Sequence, residues 1–210
     1  MHLEEQSVEF NVFTEPVGVF LGLVTTAYLL GSISSAIVVC ALLGFPDPRT
    51  QGSSNPGATN VMRIAGKGPA LLTLIGDVLK GILPVLAASA LGFSAAAATW
   101  IGLAAFIGHL LPVFFRFQGG KGVATAFGVL FALYWPLGVI SGLVWLSVFG
   151  ISRISSLASM LAFVAAPLSC WWLLPEATLP MALLSATLLA RHHSNIRNLV
   201  QGEELGFKKR

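Results

Sequence analysis

Residues 123–152 read VATAFGVLFALYWPLGVISGLVWLSVFGIS, thirty consecutive positions without a charged side chain. As one helix this stretch would run about 45 Å, against a bilayer hydrocarbon core of roughly 30 Å. Proline disfavours helix in the residue before it, and aromatic residues gather at membrane surfaces. The run Tyr134-Trp135-Pro136 therefore predicts two spans, 123–135 and 136–152. Working outward, further apolar blocks stand at 17–43, 69–91, 95–115, 157–174 and 178–190. The expectation is an all-α, polytopic membrane bundle of seven helices.

Charge tests the split. With the N-terminus outside and the C-terminus cytoplasmic, seven spans put Arg49, Arg63, Lys67, Arg116, Lys121, Arg153, Arg191, Arg197, Lys208, Lys209 and Arg210 inside. Lys80 alone among the basic residues falls within a span, and the outer segments hold Glu4, Glu5, Glu9, Glu15 and Glu176. Merging 123–152 into one span would strand Arg153 and the basic tail outside, against the positive-inside rule.

The composition agrees with a bilayer as the solvent. The 210 residues are 55% hydrophobic and 10% charged, where soluble domains carry about 25% charged residues. The net charge of +3 is modest. The opening MHLEEQSVEF lacks a basic n-region and a small-residue cleavage site, so no removable signal peptide is expected. Cys40 and Cys170 lie inside apolar blocks and read as small buried side chains. Gly18/Gly22 and Gly138/Gly142 have the four-residue spacing that lets helices approach, so packing is expected of them. No repeat or composition break divides the chain, which reads as one domain over 1–210.

Three inner segments carry the chemistry. The first, from Asp47 to Arg63, is dense in glycine, hydroxyls, amides and arginine. Such a loop can surround an anion with backbone N–H groups and polar side chains, and arginine adds a forked donor suited to phosphate. The second, Arg116-Phe-Gln-Gly-Gly-Lys-Gly122, precedes a span, so Lys121 and the helix N-terminus could cradle phosphate. It is not a Walker loop, because Phe115 stands where that pattern needs glycine. The third is Arg191-His-His-Ser-Asn-Ile-Arg197-Asn. If helix continues through it, His192 and Asn195 share a face at i,i+3, and a histidine there can orient an alcohol or exchange a proton.

Each segment also has a plainer reading, as a turn-rich loop, a flexible topology anchor or a basic stop sequence. Their convergence on one membrane face favours a phosphate-bearing ligand at the inner interface. Asp77 and Lys80, at i,i+3 inside a span, read as a mutual ion pair, since lone intramembrane charges cost roughly 2.5 to 3.5 kcal/mol each. His109 reads as hydrogen-bonded packing, and Arg153-Ile-Ser-Ser156 as an inner turn whose hydroxyls could line the same site.

The strings GSSNPGATNVMR (52–63), FQGGKGVAT (117–125) and RHHSNI (191–196) together resemble the three motifs of bacterial acyl-phosphate:glycerol-3-phosphate acyltransferases. The resemblance extends over nearly the whole chain and implies seven spans with the N-terminus outside. It implies transfer of a fatty acyl group from acyl phosphate to the 1-hydroxyl of glycerol 3-phosphate, giving lysophosphatidic acid, the first acylation of phospholipid synthesis. By the same resemblance, Ser53, His192 and Asn195 are catalytic, and Asn60, Arg63, Gly119, Gly120 and Lys121 bind phosphates. The implied setting is a bacterial inner membrane with the site at its cytoplasmic face. Membrane lipid and the acyl-phosphate-producing enzyme are the implied partners, with no nucleic acid, cofactor or metal. The family usually has glycine at Ser54 and glutamate at Ser194.

Two readings from other classes compete. An organophosphate or phosphate transporter would also combine intramembrane charge with anion loops, but such folds often show paired halves, and none are visible here. A scaffold with basic loops for anionic lipid would not need the glycine and asparagine of the first segment. Acyltransferases that use thioesters commonly carry His with Asp four residues on, a spacing absent here, which disfavours acyl-CoA as donor.

Overall fold

The computed structural model describes residues 16–207. The acidic N-terminal segment and Lys208, Lys209 and Arg210 lie outside the described residues. Within them the chain is helical, with no strand. The helices are α1 (Val17–Gly31), α2 (Ser35–Leu42), α3 (Ala58–Ala65), α4 (Lys67–Ala90), α5 (Ala95–Leu110), α6 (Val123–Leu133), α7 (Trp135–Ser152), α8 (Ser155–Leu173), α9 (Thr178–Arg191) and α10 (His193–Gln201).

The expected division of 123–152 is present. Tyr134 is extended, at φ −160° and ψ 109°, and Pro136 stands in the first turn of α7, where its missing N–H costs no helical bond. Four helices, α4, α5, α7 and α8, are long and apolar enough to cross a membrane. The expected single span 17–43 is instead two helices, α1 and α2, bent by 41°. Ser34 leaves the helical region, Ser32 returns its hydroxyl to the Tyr28 carbonyl, and Lys80 Nζ donates to the Ile33 carbonyl freed by the break, at 3.0 Å. The last expectation rests on short helices: α6 has 11 residues and α9 has 14, below the roughly 20 of a standard span. Both are packed within the bundle, α6 against α4, α5 and α7, and α9 against α5 and α8.

Lipid-facing packing explains the surface. Leu71, Leu83, Leu143, Leu168, Trp171 and Trp172 are exposed, which water would penalise and a hydrocarbon solvent does not. The interior is built from Ile101, Phe106, Leu130, Phe163, Leu184 and Leu188. Cys40 and Cys170 are free and buried, as read from the sequence.

Helix contact is tightest at glycines other than those singled out by spacing. A β-carbon at Gly31 would stand 2.0 Å from Ala105 O, at Gly81 2.1 Å from Thr125 O, and at Gly128 2.2 Å from Val78 O. Gly18, Gly22 and Gly142 have nothing within 4 Å of that position, and only Gly138 is crowded, by the Phe131 ring. The spacing rule finds small residues on one helix but not whether a partner faces them.

Candidate active site

The first segment is a turn-rich loop running into α3. Asp47 and Arg49 pair at 2.6 Å at its start, and the Arg49 guanidinium holds the Asp47 carboxyl below the usual carboxylate range. Asn60, buried, organises the loop: its Oδ1 accepts the Ser53 N–H and its Nδ2 donates to the Pro48 and Gln51 carbonyls, each at 2.9 Å. Gly52, at φ +60°, lies so close that a β-carbon would meet Asn60 Oδ1 at 2.3 Å. Asn60 thus commits both N–H donors to the loop, which presents Ser53, Asn55 and Arg63 to a cavity of about 550 Å³. Arg63 also donates to Leu205 O at 2.9 Å and lies over the Phe207 ring.

The second segment reverses through Arg116 and Phe117, both at positive φ, and lies back on the end of α5. Lys121, Gly122, Val123 and Ala124 line the cavity. Gly119 and Gly120 do not; they pack behind it, where their carbonyls accept from Arg191 Nη2 at 3.1 and 3.3 Å. Gly122 has φ +78°, and a β-carbon there would strike the Phe106 ring. Burial lowers the Lys121 ammonium from its ordinary pKa, with the nearby Glu204 carboxylate opposing.

The third segment is not one continuous helix. His192, at φ −94° and ψ 11°, separates α9 from α10, yet it and Asn195 both line the cavity. The His192 ring places Nδ1 2.8 Å from Leu188 O. A carbonyl can only accept, so the proton sits on Nδ1 and Nε2 is left as an acceptor. Burial pushes His192 down to about 4, which keeps the imidazole neutral at neutral pH.

Sequence reasoning missed the last stretch. After Gly202 turns in the left-handed region, the chain folds back and brings Glu204 into the cavity wall. Glu204 Oε1 accepts from Ser156 Oγ at 2.5 Å and from Asn195 Nδ2 at 2.6 Å. Ser155, Ser156 and Ser194 line the same cavity. The signal available was an acidic pair, Glu203-Glu204, within a basic inner tail. The rest of the wall is apolar, with Leu74, Phe127, Trp145 and Leu146, and it also includes Asp77 and His109.

The cavity thus joins fixed cationic and hydroxyl groups to an apolar pocket within the bundle. The profile of the family described as glycerol-3-phosphate acyltransferase matches residues 21–202. The chain belongs to this family. A family member from Idiomarina loihiensis is 49% identical over 188 residues, covering 90% of this chain and 96% of that one. One from Cronobacter sakazakii is 53% identical over 187 residues, covering 87% and 89%. The crystal structure of PlsY (YgiH), an integral membrane glycerol 3-phosphate acyltransferase in its glycerol 3-phosphate form, superposes with a TM-score of 0.86. It is 42% identical and covers 91% of this chain and 96% of its own. The lysophosphatidic acid form of that protein superposes with a TM-score of 0.84 at 41% identity. Family membership and the helical fold make the chain an integral membrane acyltransferase of lipid synthesis.

Proposed function

We propose that this acyltransferase moves a fatty acyl group from acyl phosphate to the 1-hydroxyl of glycerol 3-phosphate, releasing lysophosphatidic acid and inorganic phosphate. One observation carries the reading: a single cavity combines Lys121, Arg63 and the hydroxyls of Ser155 and Ser156 with an apolar wall of Leu74, Phe127 and Trp145. Two anions and one acyl chain need that combination.

Acyl phosphate is already an activated anhydride, so no covalent acyl-enzyme is required. The acceptor hydroxyl oxygen bonds to the acyl carbon, the carbon–oxygen bond to phosphate breaks, and phosphate leaves. Holding the two substrates in register supplies much of the rate. Lys121 and Arg63 offset phosphate charge and the charge developing at the acyl oxygen. His192, neutral with Nε2 as acceptor, orients the hydroxyl. A histidine lowered to about 4 is a weak base, so the leaving phosphate takes the proton. Ser53 and Asn195 complete the polar wall, while Gly119, Gly120 and Asn60 shape the loops that hold it.

The same reading has seven spans, counting α1 with α2 as one and α6 and α9 as short spans. The N-terminus is outside, the C-terminus is cytoplasmic, and the cavity opens at the cytoplasmic face of a bacterial inner membrane. The positive-inside distribution supports this orientation. The acyl chain enters from the bilayer, and an acyl-phosphate-producing enzyme supplies the donor.

The deciding experiment offers acyl phosphate and acyl-CoA in parallel to the purified protein with labelled glycerol 3-phosphate. Lysophosphatidic acid from acyl phosphate alone is expected. Product from acyl-CoA as readily as from acyl phosphate would overturn the donor assignment, and no product from either donor with a folded sample would overturn the proposed reaction.

A further inference from the structure

Asp77 and Lys80 pair at 2.9 Å with their side chains 2% and 4% exposed. Charges inside a bundle are seldom the cheapest packing, so what they hold in place matters. The ammonium reaches Ile33 O at the α1–α2 break. The carboxylate oxygen that holds the ammonium, Oδ1, also lies 3.6 Å from His109 Nδ1. That is beyond hydrogen-bond length, but the negative charge favours a proton on Nδ1 and orients the ring.

The ring's other nitrogen is against the second loop. A β-carbon on Gly120 would lie 2.4 Å from His109 Nε2, and one on Gly119 would lie 2.1 Å from His109 O. The Gly120 N–H donates to that same carbonyl at 3.2 Å. Arg191 holds the loop through the carbonyls of Gly119 and Gly120. The glycines are therefore seated on one residue, with no room for a methyl group between.

We propose that His109, held by Asp77 and Lys80, is a positioning residue whose contact with Gly119 and Gly120 sets Lys121 and the start of α6 where the acceptor's phosphate binds. The inference rests on the second loop being a phosphate cradle. His109 acts through the loop and touches no reacting atom. The ion pair is thereby explained as an anchor that joins the broken first span to the phosphate loop.

The test compares wild type with His109→Ala, His109→Gln and Asp77→Asn. Titration calorimetry reads glycerol 3-phosphate affinity, and initial rates read kcat at saturating acceptor. Affinity should fall about tenfold in His109→Ala and in Asp77→Asn and recover to within about threefold of wild type in His109→Gln, with kcat, which Lys121 also serves, falling by less than the affinity does. Unchanged affinity in folded His109→Ala and Asp77→Asn would overturn the inference. So would a fall in kcat at unchanged affinity, which would make His109 a participant in the reaction. If His109→Ala does not fold, Asp77→Asn, which keeps the side-chain shape, decides on the same readings. A wild type that binds glycerol 3-phosphate without transferring an acyl group would defeat the proposed reaction and leave these affinities as the test. A wild type without affinity for glycerol 3-phosphate would remove the cradle and this inference with it.

Discussion

The Lys121 ammonium donates its hydrogen bond to Oδ1 of Asn195, 74 positions along the chain. The other end of the same amide donates to Glu204 Oε1. Asn195 thus stands between a cation and an anion with its orientation fixed, since only its carbonyl can accept and only its NH₂ can donate. A lysine on the second loop is thereby held by the third segment, which joins two motifs into one wall.

Lys121→Ala and Asn195→Leu should each lower kcat/KM for acyl transfer about 10²-fold while the protein still inserts and folds, because each removes a charge-assisted contact worth ~1.5–3 kcal/mol. The double variant should be much less impaired than the product of the two single losses. Steady-state rates on all three variants check this, and losses that multiply would mean that the two side chains act independently.

Glu204 accepts from both Ser156 and Asn195, so its removal leaves two donors unpaired in a partly buried wall. Glu204→Ala should destabilise the protein by ~1–3 kcal/mol, while Glu204→Gln, which retains an accepting oxygen, should recover most of that. Thermal unfolding in detergent distinguishes the two variants. Equal loss in both would assign the effect to charge.

What could be read from sequence followed the range of the forces involved. The break at Tyr134 was legible because Pro136 and the aromatic pair are local signals. The break at Ser32–Ser34 was not, because the group that satisfies Ile33 O is Lys80, 47 positions away. The same holds for Glu204, whose partner Ser156 is 48 positions distant. Three motif strings did identify most of the wall, since Ser53, Asn60, Arg63, Lys121, His192 and Asn195 all line one cavity. They did not separate wall from support. Gly119 and Gly120 lie behind the cavity, and Asn60, though it lines it, commits both amide donors to its own loop. Nor did they reveal α3, whose start follows a Pro-Gly pair that reads as turn.

The His192 imidazole gives a pH dependence. Burial, reinforced by the Lys121 and Arg191 charges against the Leu188 carbonyl and Glu204, pushes it down to about 4, whereas an unfolded histidine titrates near ~6.5. Between these values the unfolded chain binds the proton and the folded one does not. Stability should therefore fall as pH drops from about 6.5 to about 4, and this contribution should be flat above that window. His192→Gln should flatten the slope there and abolish transfer while still inserting. Unfolding free energies across the window check the slope, and a wild type and variant with parallel curves would show that His192 is not held neutral.

Packing at the helix crossings predicts which glycines matter. Gly31 and Gly81 meet the backbone of a facing helix, at Ala105 O and Thr125 O, so a methyl group must push α1 from α5 or α4 from α6. Backbone cannot rotate aside as a side chain can, and overpacking of this kind costs ~1–3 kcal/mol. Gly31→Ala and Gly81→Ala should accordingly lower the unfolding temperature and lose activity with it. Gly18→Ala and Gly22→Ala add the methyl group to open space on α1, where alanine is the better helix former by ~1 kcal/mol. Those two should leave stability unchanged or raise it slightly. Unfolding temperatures for the four variants in one detergent make the comparison. Equal losses at Gly18 and Gly31 would mean that α1 has a partner on its open face.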